Sequence, residues 1–400
     1  MQNYHNHSCG SNIFTPDSTV SKEDYAKRAK EVGHNIISSL EHGWQGKYHE
    51  VFNLSKKYGL KFVFGTEAYW VKDRKEADKT NCHIVLLAKN ETGRQDINEL
   101  LSIANETGYY YKPRIDLDLL MNINPGNIFI TSACVAFWHY EDSIMIAKQL
   151  HEKFKDDFML EIQYHNTQKQ IELNRKIKEL SSSEGIPMIV GLDSHYIYPK
   201  QAEERDEYLI SKRICYEDED GWYMDYPDDS EVVQRFLKQG VFNKDEIKLA
   251  MSNSDITLDF RNYDSPIFTY ERKLPTLFPN KTKEQKDKIY TKLISKKFKE
   301  YVAENPDADY DTYYKGVKAE VDTYKETGMT DYPMIDYAIV KKGIENGGII
   351  TSTGRGSSVG FFTNTLCGFS KVDRFKSPIK LYPERFMSKT RIIESNSLPD

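Results

Sequence analysis

The first half of the chain alternates short apolar segments with segments of helical periodicity, and this alternation constrains the fold more than any other feature. Six segments rich in Ile, Val, Phe or Leu are predicted strands: residues 36–40, 61–64, 84–88, 128–131, 158–162 and 188–190. Helices are expected between them, for example Lys22–Val32, which Ser21 and Asp24 begin as a capping box and Gly33 ends. Repeated β-then-α units predict an α/β fold with a parallel sheet, and about six or seven units favour a closed barrel.

The second part of the chain is organised differently. Residues 257–280 contain three prolines and no clear period, which predicts a connector between a first domain (1–256) and a second domain (281–400). Helices are predicted at 281–301, 313–327 and 333–346, and a short strand at 349–352 runs into a glycine-rich turn. We therefore expect the second domain to be a smaller α+β unit.

Composition narrows the class of protein. Apolar residues make up 39% of the chain and aromatic residues 12%, which is enough to build cores and argues against disorder. Apolar runs stay short of the ~20 residues needed to span a bilayer, and the first residues do not resemble a secretory signal. The five cysteines are widely spaced, as expected for reduced thiols or a metal ligand. These features predict a cytoplasmic protein, and the net charge of −6 argues weakly against a surface covered by nucleic acid.

Residues with metal-binding side chains gather just past the ends of the predicted strands. His5 and His7 are two residues apart, so an extended segment would direct both imidazoles to one face. In barrel enzymes, the carboxyl ends of the strands carry the chemistry. A mixture of imidazole, carboxylate and thiolate ligands suits Zn, Mn or Fe. The residues that follow predicted strands are Glu41, His42, Glu67, Cys134, Asp193 and His195.

These motifs resemble those of the PHP (polymerase and histidinol phosphatase) family. The family holds up to three metal ions with nine ligands in a distorted (β/α)7 barrel, so the resemblance implies that fold for the first domain. Two details depart from the family pattern: Glu41 stands where an Asp usually precedes His42, and Asp17 lies further from His7 than is common. The metal ligands that the resemblance implies are His5, His7, Asp17, His42, Glu67, His83, Cys134, Asp193 and His195.

The resemblance also implies how these ligands are shared among the ions. His5, His7, Glu67 and Asp193, which are also the implied catalytic residues, would hold the first ion. The second ion would lie on Glu67, His83 and Cys134, and the third on Asp17, His42 and His195. Two ions about 3.5–4 Å apart can bind a phosphate, generate hydroxide and stabilise the leaving oxygen.

Three functions fit such a site. The first is a metal-dependent 3′-to-5′ exonuclease or phosphoesterase, which the complete ligand set favours. The second is a phosphoesterase that acts on small phosphate esters, against which the residues after 270 argue. The third is a non-catalytic scaffold that its metal ions stabilise.

A glycine-rich turn is the second motif. Residues 352–360 read STGRGSSVG and lie between the predicted strand and a helix. Glycines let the backbone approach an anion, while hydroxyls, backbone N–H groups and a guanidinium donate to phosphate oxygens. The turn matches neither a Walker A motif nor a dinucleotide fingerprint. The predicted nucleotide-phosphate-binding residues are Gly354, Arg355, Gly356, Ser357 and Ser358.

Residues 320–400 resemble the palm of the C-family replicative DNA polymerases, the DNA polymerase III alpha type. Thr353 replaces the proline of the family's P-G-R-G-S motif, Glu384-Arg385-Phe386 supplies its E-R-F motif, and Pro399-Asp400 begins its P-D-x-D-x-D motif. The metal-binding aspartates of that last motif would follow residue 400, so we expect a truncated palm without polymerase activity of its own.

The polymerase resemblance implies a wider setting. In a longer enzyme, the palm would use Mg ions, DNA and deoxynucleoside triphosphates, and other replisome subunits would be partners. The expected location is the bacterial cytoplasm and nucleoid or the cytoplasm of a phage-infected host.

Overall fold

The computed structural model describes residues 1–215, 221–261, 274–352 and 356–395. The chain divides into two compact units, Met1–Ile267 and Phe268–Asp400. The division falls within the predicted connector, of which residues 262–273 lie outside the described ranges.

A mixed sheet forms the centre of the first unit. Its seven strands follow the order β5-β6-β3-β4-β7-β8-β9, and β1 pairs with β2 in parallel. The strands are β1 (Ile36–Ser38), β2 (Lys61–Val63), β3 (Gly65–Val71), β4 (Cys82–Ala88), β5 (Tyr109–Tyr110), β6 (Lys112–Asp116), β7 (Ile128–Thr131), β8 (Phe158–Ile162) and β9 (Met188–Val190).

The N-terminal segment and the β1–β2 pair close this sheet into a distorted barrel. Asn6 forms a parallel bridge with Ser194, just beyond β9, and its side-chain amide donates to Ser38 Oγ in β1 at 3.1 Å. On the other side, the Ala88 N–H at the end of β4 donates to the Phe64 carbonyl after β2 at 2.8 Å. The barrel that the family resemblance implies is therefore confirmed.

The prediction of a purely parallel sheet is wrong at β4. The six predicted strands form, as β1, β2, β4, β7, β8 and β9, but β4 runs antiparallel to both β3 and β7. Residues 72–81, which join β3 to β4, contain no helix. A parallel neighbour requires a crossover of about a dozen residues or more, usually helical, so this short connection returns the chain antiparallel.

Helices cover the outside of the barrel. Helix α1 begins and ends as predicted, because Ser21 and Asp24 form the capping box and Gly33 adopts φ 78° at the C-cap. The helices of the first unit are α1 (Lys22–Val32), α2 (Tyr48–Tyr58), α3 (Glu91–Glu106), α4 (Leu117–Met121), α5 (Ser143–Phe154), α6 (Gln168–Glu184), α7 (Ala202–Ser211), α8 (Asp229–Gln239) and α9 (Lys244–Asn253).

Apolar side chains from the strands fill the barrel. Leu40, Val85, Phe129 and Ile189 are buried together in this core. Phe260, from the segment predicted to be a connector, packs into the same core with its ring centroid 5.9 Å from that of Phe129. The described part of the connector thus packs on the first unit up to this residue.

The second unit is helical through its described residues. Tyr290, Tyr324, Phe361 and Phe362 are fully or almost fully buried in its core. Its helices are α10 (Lys283–Glu304), α11 (Tyr310–Glu326), α12 (Asp331–Glu345), α13 (Phe362–Leu366) and α14 (Pro383–Phe386).

The predicted strand at 349–352 does not form, so the expected α+β character of this unit is wrong for its described residues. Ile349 is 85% exposed, and residues 348–351 have no regular secondary structure. An isolated strand leaves its backbone N–H and C=O groups unpaired, and the described part of this unit offers no other strand.

Within the described ranges, no helix combines the length and the apolar character that crossing a bilayer would require.

Candidate metal centre

Two segments joined by a parallel bridge each direct two side chains into the barrel. His5 and His7 flank Asn6, and Asp193 and His195 flank Ser194, the partner of Asn6 in the parallel bridge. The amide of Asn6 points away from the site and bonds Ser38 and the buried Lys22 instead. The period-two alternation of extended chain places His5 and His7 on one face, whereas a left-handed residue, Asp193, brings the second pair to the same site.

The carboxylate of Glu67 lies at the middle of the cluster. Its Oε1 is 3.4 Å from His5 Nε2 and 3.0 Å from His83 Nδ1, and its Oε2 is 3.3 Å from His7 Nε2. Its Oε2 also lies 2.6 Å from His42 Nδ1. One carboxylate thus faces four imidazoles.

The expected positions of two residues at the strand ends need correction. Glu67 does not follow a strand that ends at residue 64, because it lies inside β3, and His83 lies inside β4 rather than before it. The backbone of Glu67 pairs with His42 in a parallel bridge, which aligns the two side chains.

Aspartates extend the cluster on two sides. Asp193 Oδ1 is 3.2 Å from His5 Nε2 and 3.3 Å from His195 Nε2. Asp17 lies between His42 and His195, at 3.4 and 3.3 Å respectively. Cys134 Sγ lies 3.4 Å from His83 Nδ1. The structure therefore brings all nine predicted ligands into one cluster.

The groups of ligand atoms close enough to share an ion differ in part from the implied grouping. Glu67, His83 and Cys134 form one group, the set that the resemblance implies for the second ion. His5, His7 and Asp193 form another, which lacks the Glu67 of the set implied for the first ion. The remaining group joins His7, His42 and Glu67. Asp17 adjoins this group through its contact with His42, and His195 contacts Asp193 of the group that contains His5.

Many buried atoms of the cluster face one another without hydrogen-bond geometry. Such atoms cost free energy unless a further group satisfies them. A divalent cation would do so, since imidazole nitrogens and carboxylate oxygens are its ligands. Within the described chain, the buried atoms that lack a hydrogen-bond partner include His5 Nε2, His7 Nε2, Asp17 Oδ1, His42 Nδ1, His42 Nε2, Glu67 Oε2 and His195 Nδ1.

The electrostatics of the metal-free cluster follow from burial and close opposite charges. Burial opposes the charged imidazolium, but Glu67 and Asp17 raise the pKa of His42 to about 10. Burial likewise opposes charge on His195, whose pKa Asp17 and Asp193 raise to about 9. The neighbouring imidazoles overcome burial at Asp17, Glu67 and Asp193 and lower the pKa of each carboxyl.

For Cys134 and His7, burial determines the direction of the pKa shift. Burial raises the pKa of the Cys134 thiol well above its usual range, and the carboxylates of Glu67 and Asp193 add to this shift. Burial and the nearby His42 lower the pKa of His7. A metal ion would have to supply the positive charge that keeps Cys134 as a thiolate.

Glu161 is a site residue that the sequence did not indicate. Its Oε1 lies 2.7 Å from His5 Nδ1, and its Oε2 accepts from the Tyr4 hydroxyl at 2.9 Å and from Thr131 Oγ1 at 2.7 Å. A carboxylate behind a ligating imidazole fixes its tautomer and orientation. Gly191 leaves room for it, since a Cβ there would come 1.9 Å from Glu161 Oε1.

Glu41 has the outer position that its place beside His42 suggests. It is buried, accepts from the backbone N–H of Ser8 at 3.1 Å and from the hydroxyls of Ser8 and Ser11, and pairs with Lys22 at 3.3 Å. Ser11 Oγ in turn lies 3.0 Å from His7 Nδ1, so this network orients a second imidazole.

Two residues beside the cluster have left-handed backbone conformations. Ala133 has φ 45° and Asp193 has φ 47°, values that non-glycine residues adopt rarely. Such conformations cost free energy and persist where surrounding structure holds them, often at functional sites. Here they turn the chain sharply past β7 and β9 and carry Cys134 and Asp193 into the cluster.

A cavity of about 420 Å³ gives access to the cluster. Asp17, His42, His83, Asp193 and His195 lie at its base. Two cations that the sequence did not indicate, Lys112 and Arg205, also line it, together with Trp222. Arg205 donates to the Asp17 carbonyl at 3.0 Å and so helps to position that aspartate.

The glycine-rich turn of the second unit borders a separate cavity of about 360 Å³. Gly354 and Arg355 lie outside the described residues. Gly356 adopts φ 87°, and Ser357 and Ser358 begin a 3-10 helix, Ser357–Gly360, with Gly356 and Ser357 lining the cavity. Lys380 and Arg385 line the same cavity and add positive charge that the turn alone did not predict.

Comparisons with known proteins cover most of the chain. Residues 3–165 match the model of the PHP domain family, and residues 287–400 match that of the bacterial DNA polymerase III alpha NTPase domain. Asp193 and His195 lie beyond the first match.

Relatives agree with these matches. DNA polymerase III subunit alpha of Aquifex aeolicus is 26% identical over 415 residues, which cover 96% of this chain and 34% of that protein. The protein of the same name from Campylobacter jejuni is 25% identical over 421 residues, with the same coverage of both chains. That of Borreliella burgdorferi is 31% identical over 204 residues, covering 48% of this chain and 18% of that protein.

The chain spans about a third of the length of the first two relatives. It carries a PHP domain and a bacterial DNA polymerase III alpha NTPase domain, and it is homologous to DNA polymerase III subunit alpha over most of its length.

Proposed function

We propose that the first unit is a metal-dependent nuclease that removes nucleotides from the 3′ end of DNA. The observation that carries this proposal is the set of buried imidazole and carboxylate atoms that face one another around Glu67 without hydrogen-bond geometry. Together with a thiol, these atoms form a donor set suited to divalent transition metals. Homology to a DNA polymerase subunit favours DNA over small phosphate esters as the substrate.

The nine ligands have distinct roles in this proposal. His5, His7, Glu67 and Asp193 would hold the first ion and would be the catalytic residues. Glu67, His83 and Cys134 would hold a second ion, and Asp17, His42 and His195 would hold a third. When bound, the ions supply Lewis acidity and a water of lowered pKa for attack on phosphorus.

Residues of the chain orient the site for that reaction. Glu161 accepts a hydrogen bond from the Nδ1–H of His5, so that the Nε2 lone pair of His5 faces the ligand cluster. Glu41 and Ser11 act in the same way on His7.

The nine ligands form a donor set that suits Zn, Mn or Fe, and we expect two or three ions in all.

The second unit would contribute to nucleotide binding in a polymerase. Gly354, Arg355, Gly356, Ser357 and Ser358 would bind the triphosphate of the incoming deoxynucleotide, with Mg ions as cofactors. Lys380 and Arg385, which line the same cavity as Gly356 and Ser357, support this role. We expect primer-template DNA and other replisome subunits as partners, in the bacterial cytoplasm and nucleoid or in a phage-infected host.

The test is an assay of the purified protein with 3′-labelled single-stranded DNA and Mn²⁺ or Zn²⁺. We expect release of deoxynucleoside monophosphates, loss of activity on chelation, and loss in His7→Ala and Asp193→Ala. His49→Ala is the matched control, because His49 is an exposed histidine of α2, outside the cluster.

Each alternative gives a different result. Hydrolysis of a small phosphate ester without release from DNA would make the unit a phosphatase. Metal-dependent thermal stability without any hydrolysis would make it a scaffold. Undiminished DNA hydrolysis by both cluster variants would contradict the proposal, since it would come from a contaminant.

A further inference from the structure

Lys112 is a cation in the wall of the metal-site cavity. It is the first residue of β6, and its ammonium donates to Thr15 Oγ1 at 3.0 Å. The same ammonium lies 4.3 Å from the centroid of the Tyr69 ring. The cavity that it lines also contains Asp17 and His42.

Tyr69 and Thr15 hold Lys112 in a fixed relation to the metal ligands. The Tyr69 hydroxyl and Thr15 Oγ1 lie 2.6 Å apart, so the two groups share a hydrogen bond. The ring of Tyr69 stacks on His42 at 6.0 Å and meets His83 edge-on at 5.3 Å. Lys112 therefore lies one side chain away from two predicted ligands.

Lys112 is half-buried, and its ammonium has fewer partners than the buried cations of the barrel. Lys22 donates to three oxygens and pairs with Glu41, and Arg114 donates to four backbone carbonyls. For Lys112, the described residues provide one hydroxyl acceptor and no carboxylate within ion-pair distance. An ammonium has three donors, so two are available to a group in the cavity.

Partial burial makes unused donors on the Lys112 ammonium costly in free energy. The burial of Lys112 lowers its pKa, while the more distant carboxylates of Asp17 and Glu67 favour its charged form. A buried charge is stabilised when it is paired and hydrogen-bonded. An anion in the cavity would provide that pair, and the metal ligands at its base would bring a phosphate there.

We propose that Lys112 binds a phosphate oxygen of the substrate beside the metal centre. Its ammonium contacts a non-bridging oxygen, with Thr15 and Tyr69 holding the side chain in place. This inference rests on the proposed phosphodiesterase function, and it identifies the anionic group of the substrate as the part that the chain recognises directly.

The test measures the binding of inorganic phosphate to the metal-loaded chain by calorimetry, for wild type and for Lys112→Met and Lys112→Arg. Charge-assisted hydrogen bonds imply that Lys112→Met weakens phosphate binding about 10- to 100-fold. Lys112→Arg should retain most of the affinity because it keeps the charge. Metal content and Tm are measured for each variant.

Lys79→Met is the matched control. Lys79 lies 4.8 Å from the ring of Tyr111, in the same kind of cation–π contact, but it is exposed and does not line the cavity. Its loss should leave phosphate binding unchanged.

The kinetics add a second measure. With labelled single-stranded DNA, Lys112→Met should raise KM and lower kcat, because the contact forms with the bound substrate and strengthens in the transition state as negative charge develops on the non-bridging oxygens. Loss of phosphate affinity in Lys112→Met would support the assignment even if the wild type hydrolyses no DNA, in which case the nuclease function alone fails.

Two results would overturn the assignment. One is wild-type phosphate affinity in Lys112→Met with full metal content. The other is a lowered Tm for Lys112→Met without a change in phosphate affinity, which would mean that Lys112 only braces Thr15 and Tyr69.

Discussion

Glu161 holds His5 from behind, with 2.7 Å between the carboxylate Oε1 and the imidazole Nδ1. The other ring nitrogen, Nε2, lies 3.2 Å from Asp193 Oδ1, inside the cluster. The two nitrogens of one ring thus face different carboxylates, and the outer one determines which nitrogen is available to a metal.

We therefore expect Glu161→Gln to weaken metal binding while the barrel stays folded. Loss of an outer carboxylate lowers metal affinity about 10- to 100-fold. Competition with a fluorescent chelator would measure the change, and Glu179→Gln, an exposed residue of α6, is the control. Unchanged affinity in Glu161→Gln would mean that His5 does not depend on this carboxylate.

The pH dependence of stability should differ between the metal-free and metal-loaded protein. A histidine whose pKa is raised in the folded protein stabilises the fold fully below its pKa in the unfolded chain, about 6.5. This contribution is lost as pH rises through its pKa in the folded protein. For His195 and His42 that loss occurs through about 9 and about 10. The lowered pKa values of Asp17, Glu67 and Asp193 stabilise above about pH 4, and this contribution is lost in acid.

Thermal melts across this pH range would measure the difference. The chelator-treated protein should lose Tm as pH rises from about 6.5 to about 10, whereas the metal-loaded protein should lose less, because ligating imidazoles carry no proton to release. The loaded protein also serves as the control for lysine and tyrosine ionisation. Parallel alkaline losses in both forms would contradict the pairing of these histidines with the carboxylates.

Cys134 should give a spectroscopic signature of a second ion. Its thiol ionises only with help, since burial raises its pKa well above the usual range. Co²⁺ loading should therefore produce a thiolate-to-metal charge-transfer band in the wild type, and Cys134→Ser should lack it. Cys82→Ser is a matched buried control, because Cys82 lies next to His83 in β4 but points to the opposite face. A band that persists in Cys134→Ser would exclude Cys134 as a ligand.

The barrel could be predicted where strands read as separate apolar runs, but β3 could not. All seven of its residues are buried, so it shows no alternation, and Gly65 after Phe64 suggests that the chain breaks there. In the structure this glycine serves close approach: a Cβ at Gly65 would come 2.4 Å from Leu87 Cδ2 in β4. Glycine therefore begins β3 because the packing against β4 leaves no room for a side chain.

The composition of the cluster could be predicted from motifs, but its outer carboxylate could not. Glu161 lies in the middle of an apolar strand, and its partner His5 is 156 residues away in sequence. Local patterns do not contain such a contact.

In the second unit, the sequence predicted an element that does not form. An apolar run at 349–352 suggested a strand, but a strand also needs a neighbouring strand to pair with.

The last prediction concerns the packing of that second unit. Glu320 is 2% exposed and accepts from the backbone N–H groups of Phe362 and Thr363 at 2.9 and 2.7 Å. Its Oε1 also lies 2.8 Å from an Arg374 guanidinium nitrogen. The carboxylate thus caps the start of α13 and joins it to α11.

Glu320→Ala would leave two backbone donors and a mostly buried guanidinium without their acceptor. Breaking a buried pair in this way costs about 3–5 kcal/mol in the free energy of unfolding, which urea denaturation would measure. Hydrogen exchange should show faster exchange at the amides of Phe362 and Thr363. The control is Glu326→Ala, whose ion pair with Lys389 is exposed on both sides and is worth about 0–1 kcal/mol. Equal losses of unfolding free energy in the two variants would contradict the capping role, because of these two glutamates Glu320 alone accepts from the first N–H groups of α13. Helix α13 begins two residues after the 3-10 helix that follows the glycine-rich turn.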